Sequence, residues 1–231
     1  MTQLALELGL MDDATFDNYC DINNEMAYNC LLQMASGNGE QFAYLWGGQG
    51  VGKTHLLQAT CNFANECKIS AVFLPLENNT FSRNNIDRLQ GLENINLVCL
   101  DNIHAIGEDS KLEEALFNLF NRLKGKQNKL IITADKPPVQ LNLNLSDLKS
   151  RLSWGVVWQL HSLEDEDKLI ALQARAKYRG LELDDTVGWF LLRRWSRNMS
   201  HLFMALDNLD KASLVRQRRL TVPFVKQVLN I

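Results

Sequence analysis

Along the chain, apolar residues run unbroken through short stretches at 42–46 (Phe-Ala-Tyr-Leu-Trp), 70–74, 95–100, 130–133 and 156–160. A strand with one wet face would alternate apolar and polar positions. Unbroken runs instead predict strands buried on both faces, and hence a parallel sheet. Between them lie helical patterns, including 53–66 and 111–124, the second preceded by Ser110-Lys-Leu-Glu113, a capping-box spelling. Strand and helix in alternation predict an α/β domain. Beyond Ser162 the strand signals stop, and helical patterns follow at 164–178, 184–195 and 199–216, with a short one from Val222. The opening is different again, because alternating leucines are followed by an acidic, turn-prone stretch at 11–13. The pattern therefore predicts a mobile tail over 1–20, an α/β domain over 21–161 and an all-helical domain over 162–231.

Composition adds bounds to this outline. Of 231 residues, 46% are apolar, ample for a packed core. Lys and Arg number 24 against 27 Asp and Glu, a net charge of −3, so nothing draws the whole molecule to nucleic acid or to an anionic membrane. Arg193, Arg194, Arg197, Lys211, Arg216, Arg218 and Arg219 make the C-terminal region locally basic. Two readings stand for them, a solvated helix face and a surface for DNA or a partner protein. Cys20, Cys30, Cys61, Cys67 and Cys99 include no Cys-x-x-Cys pair and read as reduced small hydrophobes of a reducing compartment. No apolar run approaches the ~20 residues of a membrane span, and no signal peptide opens the chain. A cytoplasmic protein with no membrane partner is the expectation.

The strongest chemical signal is Gly47-Gly48-Gln49-Gly50-Val51-Gly52-Lys53-Thr54, which matches G-x-x-x-x-G-K-[ST] at every fixed position between a predicted strand and a predicted helix. Glycines let the backbone curl so that successive N–H groups meet phosphate oxygens, and the helix N-terminus adds partial positive charge. Lys53 is expected to reach the β and γ phosphates and Thr54 to ligate Mg²⁺. A second metal ligand should end a buried strand, and Leu97-Val-Cys-Leu-Asp101 offers one in Asp101. Asn102 follows where ATPases of this kind usually place a second acid; an amide orients water but is a poor proton acceptor, so weak or no intrinsic hydrolysis is expected. Thr133 and Asp135 fall at the C-terminal edge of the sheet, where ligands bind in open α/β folds. They are γ-phosphate sensor candidates beside the plainer reading of a strand-to-turn junction.

These residues also resemble a known family. GGQGVGKTHL at 47–56, LDNI at 100–103, TADKPP at 133–138, SRLSWG at 150–155 and the helical tail resemble the DnaA family of AAA+ replication proteins, and most closely its short Hda-type members, over residues 12–231. The resemblance implies an α/β fold, a P-loop AAA+ parallel-sheet domain with a small C-terminal all-helical lid domain. It implies ADP or ATP with Mg²⁺ as ligands, held by Gly48, Gln49, Gly50, Val51, Gly52, Lys53, Thr54 and His55, with Thr54 and Asp101 on the metal. Hda-type members, carrying ADP on the DNA-loaded sliding clamp (the β subunit of DNA polymerase III), stimulate hydrolysis of the ATP bound to DnaA and shut initiation off. DnaA and the clamp are thus the implied partners, with DNA reached indirectly through the clamp and a homo-oligomer possible. Gln3, Leu4, Leu6 and Leu8 resemble the clamp-binding motif, a Gln amide and alternating leucines suiting a polar notch beside an apolar pocket. Arg151, in the SRL spelling, is implied as an arginine finger acting in trans on DnaA; a surface ion pair with Asp147 is the alternative.

Some positions depart from the family or stay open. Glu7 stands where the family often has proline, which removes some preordering of the extended peptide. Alignment of the lid puts Ser200 at the family's sensor arginine, which leaves Arg197, about one turn earlier, as the lid sensor candidate. Phe16 and Tyr19 lie in the segment that packs near adenine in the family, and core packing explains them equally. His104, His161 and His201 have no partner pattern. The family's helix-turn-helix domain would begin beyond Ile231, so none is expected, as in the Hda type. Two rivals remain: a helicase loader of the DnaC type, which shares the GKTHL-like loop, and a small-molecule kinase, which would need an acceptor pocket and a mobile basic lid.

Overall fold

The computed structural model describes residues 14–76, 83–107, 109–216 and 218–231. They pack as two compact units, one of residues 14–16, 24–48 and 53–161, the other of residues 17–23, 49–52 and 162–231.

The first unit is built on a five-stranded, wholly parallel sheet in the order β2-β3-β4-β1-β5. The strands are β1 (Phe42–Trp46), β2 (Ala71–Pro75), β3 (Leu97–Asp101), β4 (Lys129–Ala134) and β5 (Val156–Gln159). Alternate side chains leave a strand on opposite faces. Phe42, Tyr44, Val98, Leu100, Leu130 and Ile132 therefore share one face, where they meet Leu116, Leu119, Phe120 and Leu123 of α3 (Ser110–Gly125) and Leu148 and Leu152 of α4 (Ser146–Leu152). The other face is covered by α2 (Lys53–Glu66), which packs against β2 and β3 and against α1 (Glu25–Ala35). The unbroken apolar runs have their predicted meaning in β3, which is buried at every residue. They do not in β5, which alternates between half-buried and exposed with Val157 38% exposed. It is an edge strand paired only with β1, and its apolar residues carry no information about which edge of the sheet they take.

The capping box before α3 is also read differently in three dimensions. Asp109 is the N-cap, its side chain accepting the N–H groups of Lys111 and Leu112, and Ser110 is already helical. Glu113, fully buried, accepts instead from the backbone N–H of Asn144 (3.1 Å) and Leu145 (2.6 Å). It caps α4, whose own N-cap residue, Leu145, has no polar side chain to do so.

Between α4 and β5 the chain turns at Gly155, with φ +76°. A Cβ there would lie 2.1 Å from the carbonyl oxygen of Phe42, a backbone atom that cannot move without shifting β1. Gly155→Ala is expected to lose about 2–4 kcal/mol from backbone strain and steric conflict together. Thermal denaturation followed by circular dichroism checks this; an unchanged midpoint would contradict the packing of β5 on β1.

The second unit contains four helices, α5 (Asp165–Tyr178), α6 (Asp185–Arg194), α7 (Met199–Arg216) and α8 (Val222–Leu229). Asp184 and Thr221 cap α6 and α8, and Pro223 sits in the first turn of α8, where its missing N–H is tolerated. Leu172, Leu191, Leu202, Leu206, Leu209 and Val225 form its core. No described helix is long and apolar enough to cross a membrane, and the five cysteines are free thiols.

Candidate nucleotide-binding site and the arginine of α4

β1 delivers the chain to Gly47, whose N–H donates to the carbonyl of Ala134 at 3.3 Å, and the loop re-enters the first unit at Lys53, the first residue of α2. Lys53 is 8% exposed, and its Nζ donates to the carbonyls of Gly47 (2.7 Å) and Gly48 (2.8 Å). Burial pushes its pKa below the ordinary lysine value, while the negative charges of Asp101 and Asp135 oppose that shift. Both carboxylates therefore lie within electrostatic reach of the ammonium.

Thr54 and Asp101 are brought together directly. Thr54 Oγ1 donates to Asp101 Oδ2 at 2.6 Å, and Asp101, at the end of β3, is 1% exposed. The other oxygen, Oδ1, accepts from the hydroxyl of Thr133, and that hydroxyl accepts the N–H of Asn102 at 2.9 Å. The one proton of the Thr133 hydroxyl is thus directed at Asp101, so Thr133 orients the carboxylate. Asn102 has φ +61° and ψ +50°, a left-handed conformation that Asn adopts more readily than most residues. It turns β3 sharply into the 3-10 segment Ile103–Ile106.

Asp135 occupies the sheet edge with its side chain 43% exposed. Its N–H donates to His104 Nδ1 at 3.3 Å, and its carboxylate lies 3.7 Å from the same nitrogen. No spacing rule pairs residues 104 and 135; they meet because β3 and β4 are neighbours in the sheet. His55 turns from the loop to the carbonyl of Thr15, 3.0 Å from Nε2, and Asn62 donates to the carbonyl of Ala14, so α2 ties down the segment before α1. Phe16 settles as core, edge-on to Tyr28 and Phe63.

Within the second unit, which takes in residues 49–52, Tyr19 donates its hydroxyl to the carbonyl of Val51 at 3.5 Å. Gly52 has φ +94°, and a Cβ there would fall 2.6 Å from the Tyr19 ring. The glycine thus serves both the turn and the close approach of the aromatic. Arg197 pairs with Asp165 at 3.3 Å and is 71% exposed. Its neighbour Asn198 accepts the N–H of Ser200 at 2.9 Å and caps α7, with its amide nitrogen against Gly50. Asn198 carries no sequence signal beyond that of an ordinary N-cap asparagine, whereas Arg197 stands out as a cation near the family's sensor position.

Arg151 lies in the last turn of α4. Its guanidinium carbon is 4.1 Å from the Trp154 ring centroid and 5.7 Å from that of Phe117. Phe120 stacks on Phe42, the first residue of β1, and meets Trp154 edge-on. The phosphate loop follows the opposite end of β1, and five strand residues separate the two ends by about 13 Å. Arg151 makes no ion pair with Asp147 or any other carboxylate among the described residues. Gln3, Leu4, Leu6 and Leu8 lie outside the described residues.

Comparison with known proteins places this geometry. The family described as "Hda, lid domain" matches residues 165–229, and "Bacterial DnaA ATPAse domain" matches residues 10–159. Domain III of the Thermotoga maritima replication initiation protein DnaA is similar, with 21% identity, TM-score 0.80, and 96% of this chain and 97% of that one covered. AMPPCP-bound DnaA from Aquifex aeolicus has 22% identity, TM-score 0.74, and coverage of 88% and 67%. A RuvB variant of Thermotoga maritima has 15% identity, TM-score 0.67, and coverage of 94% and 71%. The structures share the fold. The family match, which takes in the phosphate loop, Asp101, Thr133 and Arg151, decides the identity: the chain belongs to the family of the bacterial DnaA ATPase domain and carries a lid of the Hda type.

Proposed function

We propose that this chain is a nucleotide-bound regulator of DNA replication initiation that, held on the DNA-loaded sliding clamp, stimulates ATP hydrolysis by DnaA and so inactivates it. The observation that carries the proposal is Arg151, held by aromatic rings, unpaired with any described carboxylate and remote from its own phosphate loop. An arginine so placed suits the nucleotide of a neighbouring protein rather than its own.

The chain's own site suits a retained nucleotide. Lys53 supplies a buried cation for the terminal phosphates, and Thr133 and Asn102 hold Asp101 in place. The similar Aquifex aeolicus DnaA was solved with AMPPCP, which favours an adenine nucleotide here. Thr54 and Asp101 present hard oxygen donors facing each other, a set that fits Mg²⁺, and these two would hold it. A bound Mg²⁺ would neutralise phosphate charge. Asn102 cannot take a proton from water as a carboxylate would, which suits slow turnover at this site; ADP as the standing occupant is what the likeness to Hda-type members implies. DNA is reached through the clamp, and the cytoplasm is the compartment this role requires.

ATP turnover by DnaA, measured with and without this protein and clamp-loaded DNA, tests the proposal. Acceleration only when all components are present is expected. No acceleration, together with capture of the replicative helicase, would make the chain a loader of the DnaC type. The clamp anchor has its own test. Gln3→Ala with Leu6→Ala should weaken binding to immobilised clamp by at least ~100-fold, as expected when a peptide loses both its polar and apolar anchors. ADP affinity should stay unchanged, and equal clamp binding by variant and wild type would remove the tail from the mechanism.

A further inference from the structure

We infer that Trp154 is the positioning residue for Arg151: its indole face is the seat that presents the guanidinium with its N–H donors free for an anionic partner. The inference rests on the reading of Arg151 as acting in trans.

Arginines on protein surfaces are commonly oriented by carboxylates, which use N–H donors and neutralise the charge. Arg151 is held differently. Its guanidinium carbon lies 4.1 Å from the Trp154 centroid, and the attraction there is between positive charge and the negative face of the ring. That contact holds the guanidinium over the ring without using any of its five N–H donors. None of them makes a hydrogen bond among the described residues.

The seat itself is rigid on one side and open on the other. Trp154 is 37% exposed, yet its ring is backed edge-on by Phe120, which stacks on Phe42 at 4.3 Å. On the backbone, its N–H donates to the Arg151 carbonyl at 2.9 Å, and the next residue, Gly155, runs so close to Phe42 that a Cβ there would meet its carbonyl. Indole and arginine are therefore fixed relative to each other and to β1. Lys124 brings a second cation, its Nζ 3.9 Å from the same indole. Two cations share one ring, with no carboxylate paired to either among the described residues. The charge left over is complementary to a polyphosphate entering from outside.

Trp154→Leu keeps an apolar side chain, smaller than indole, and removes the ring face, whereas Trp154→Phe keeps a weaker face. Both are compared with Arg151→Ala in the DnaA turnover assay on clamp-loaded DNA, with the concentration of this protein varied. Loss of one cation–π contact predicts a maximal stimulated rate about 5- to 30-fold lower for Trp154→Leu, with half-saturation within about 2-fold of wild type, and Trp154→Phe within about 3-fold in rate. In ¹⁵N-arginine spectra the Arg151 side-chain protons should be shifted upfield by the ring current in wild type and Trp154→Phe, and lose that shift in Trp154→Leu. Wild-type maximal rate in Trp154→Leu while Arg151→Ala is inactive would overturn the positioning role alone. Equal losses in the Phe and Leu variants, or a raised half-saturation at unchanged maximal rate, would also overturn it, pointing to bulk packing and to docking respectively. Full stimulation by Arg151→Ala would remove the trans-acting reading and this inference with it.

Discussion

Replacing Arg151 by alanine is expected to abolish stimulation of DnaA, a loss of about 10³- to 10⁵-fold where a finger acts in trans, while ADP affinity and clamp binding stay at their wild-type values. A guanidinium supplied in trans stabilises the charge distribution of the transition state more strongly than that of bound ATP, so its removal appears in the rate. The fold should survive, because the side chain lies on aromatic surfaces at the end of a short helix and supports no buried carboxylate. Arg151→Lys should fail nearly as badly. An ammonium keeps the charge but lacks the planar fork, and the aromatic seat that orients a flat group gives it no defined direction. Single-turnover hydrolysis of ATP preloaded on DnaA is the measurement. Wild-type stimulation by either variant would end the case for Arg151.

The second large effect concerns Lys53. Lys53→Ala is expected to weaken ADP and ATP binding by about 30- to 3,000-fold, the range for removing one partner of a buried charge-assisted contact. Two effects combine. The phosphates lose a buried cation, and the carbonyls of Gly47 and Gly48 lose the donor that gathers the loop. The pH dependence carries a signature of the same residue. Burial depresses the Lys53 pKa, and bound phosphate favours the charged form, so binding raises the pKa and takes up protons wherever free Lys53 has begun to lose them. Wild-type affinity should therefore fall as pH rises through the depressed pKa of the free protein, at lower pH than an ordinary lysine would allow, and the alanine variant should lack that limb. Titration calorimetry across the alkaline range in buffers of different ionisation enthalpy reads both affinity and proton uptake. Unchanged affinity in Lys53→Ala would mean the loop does not hold the phosphates.

Much of the molecule follows from short-range pattern. The phosphate loop was legible because its chemistry is contiguous: the strand, the glycines and the first residues of α2 are neighbours in sequence, and local backbone geometry alone brings them together. The lid helices were legible for a similar reason, since a helix period is expressed within a few residues, although Asp184, read as the first helical residue, is the N-cap of α6. Asp101 was found because the end of a buried apolar run is itself a sequence feature.

What only the tertiary structure decided is every feature whose partners are distant in the chain. Glu113 reads locally as the far end of a capping box, yet it caps α4, because the fold brings the backbone N–H groups of Asn144 and Leu145, 31 and 32 residues later, to its carboxylate. Thr133 reads as an edge residue but orients Asp101, a role created by the pairing of β3 with β4. Arg151 and Trp154 are three residues apart and invite a local reading. The seat they form also needs Phe120 and Lys124 from α3 and Phe42 from β1. Sequence patterns report propensities that each segment expresses alone. The orientation of a cation, a carboxylate or a hydroxyl is set by whichever partner packing brings within about 3–4 Å, and that choice belongs to the fold as a whole.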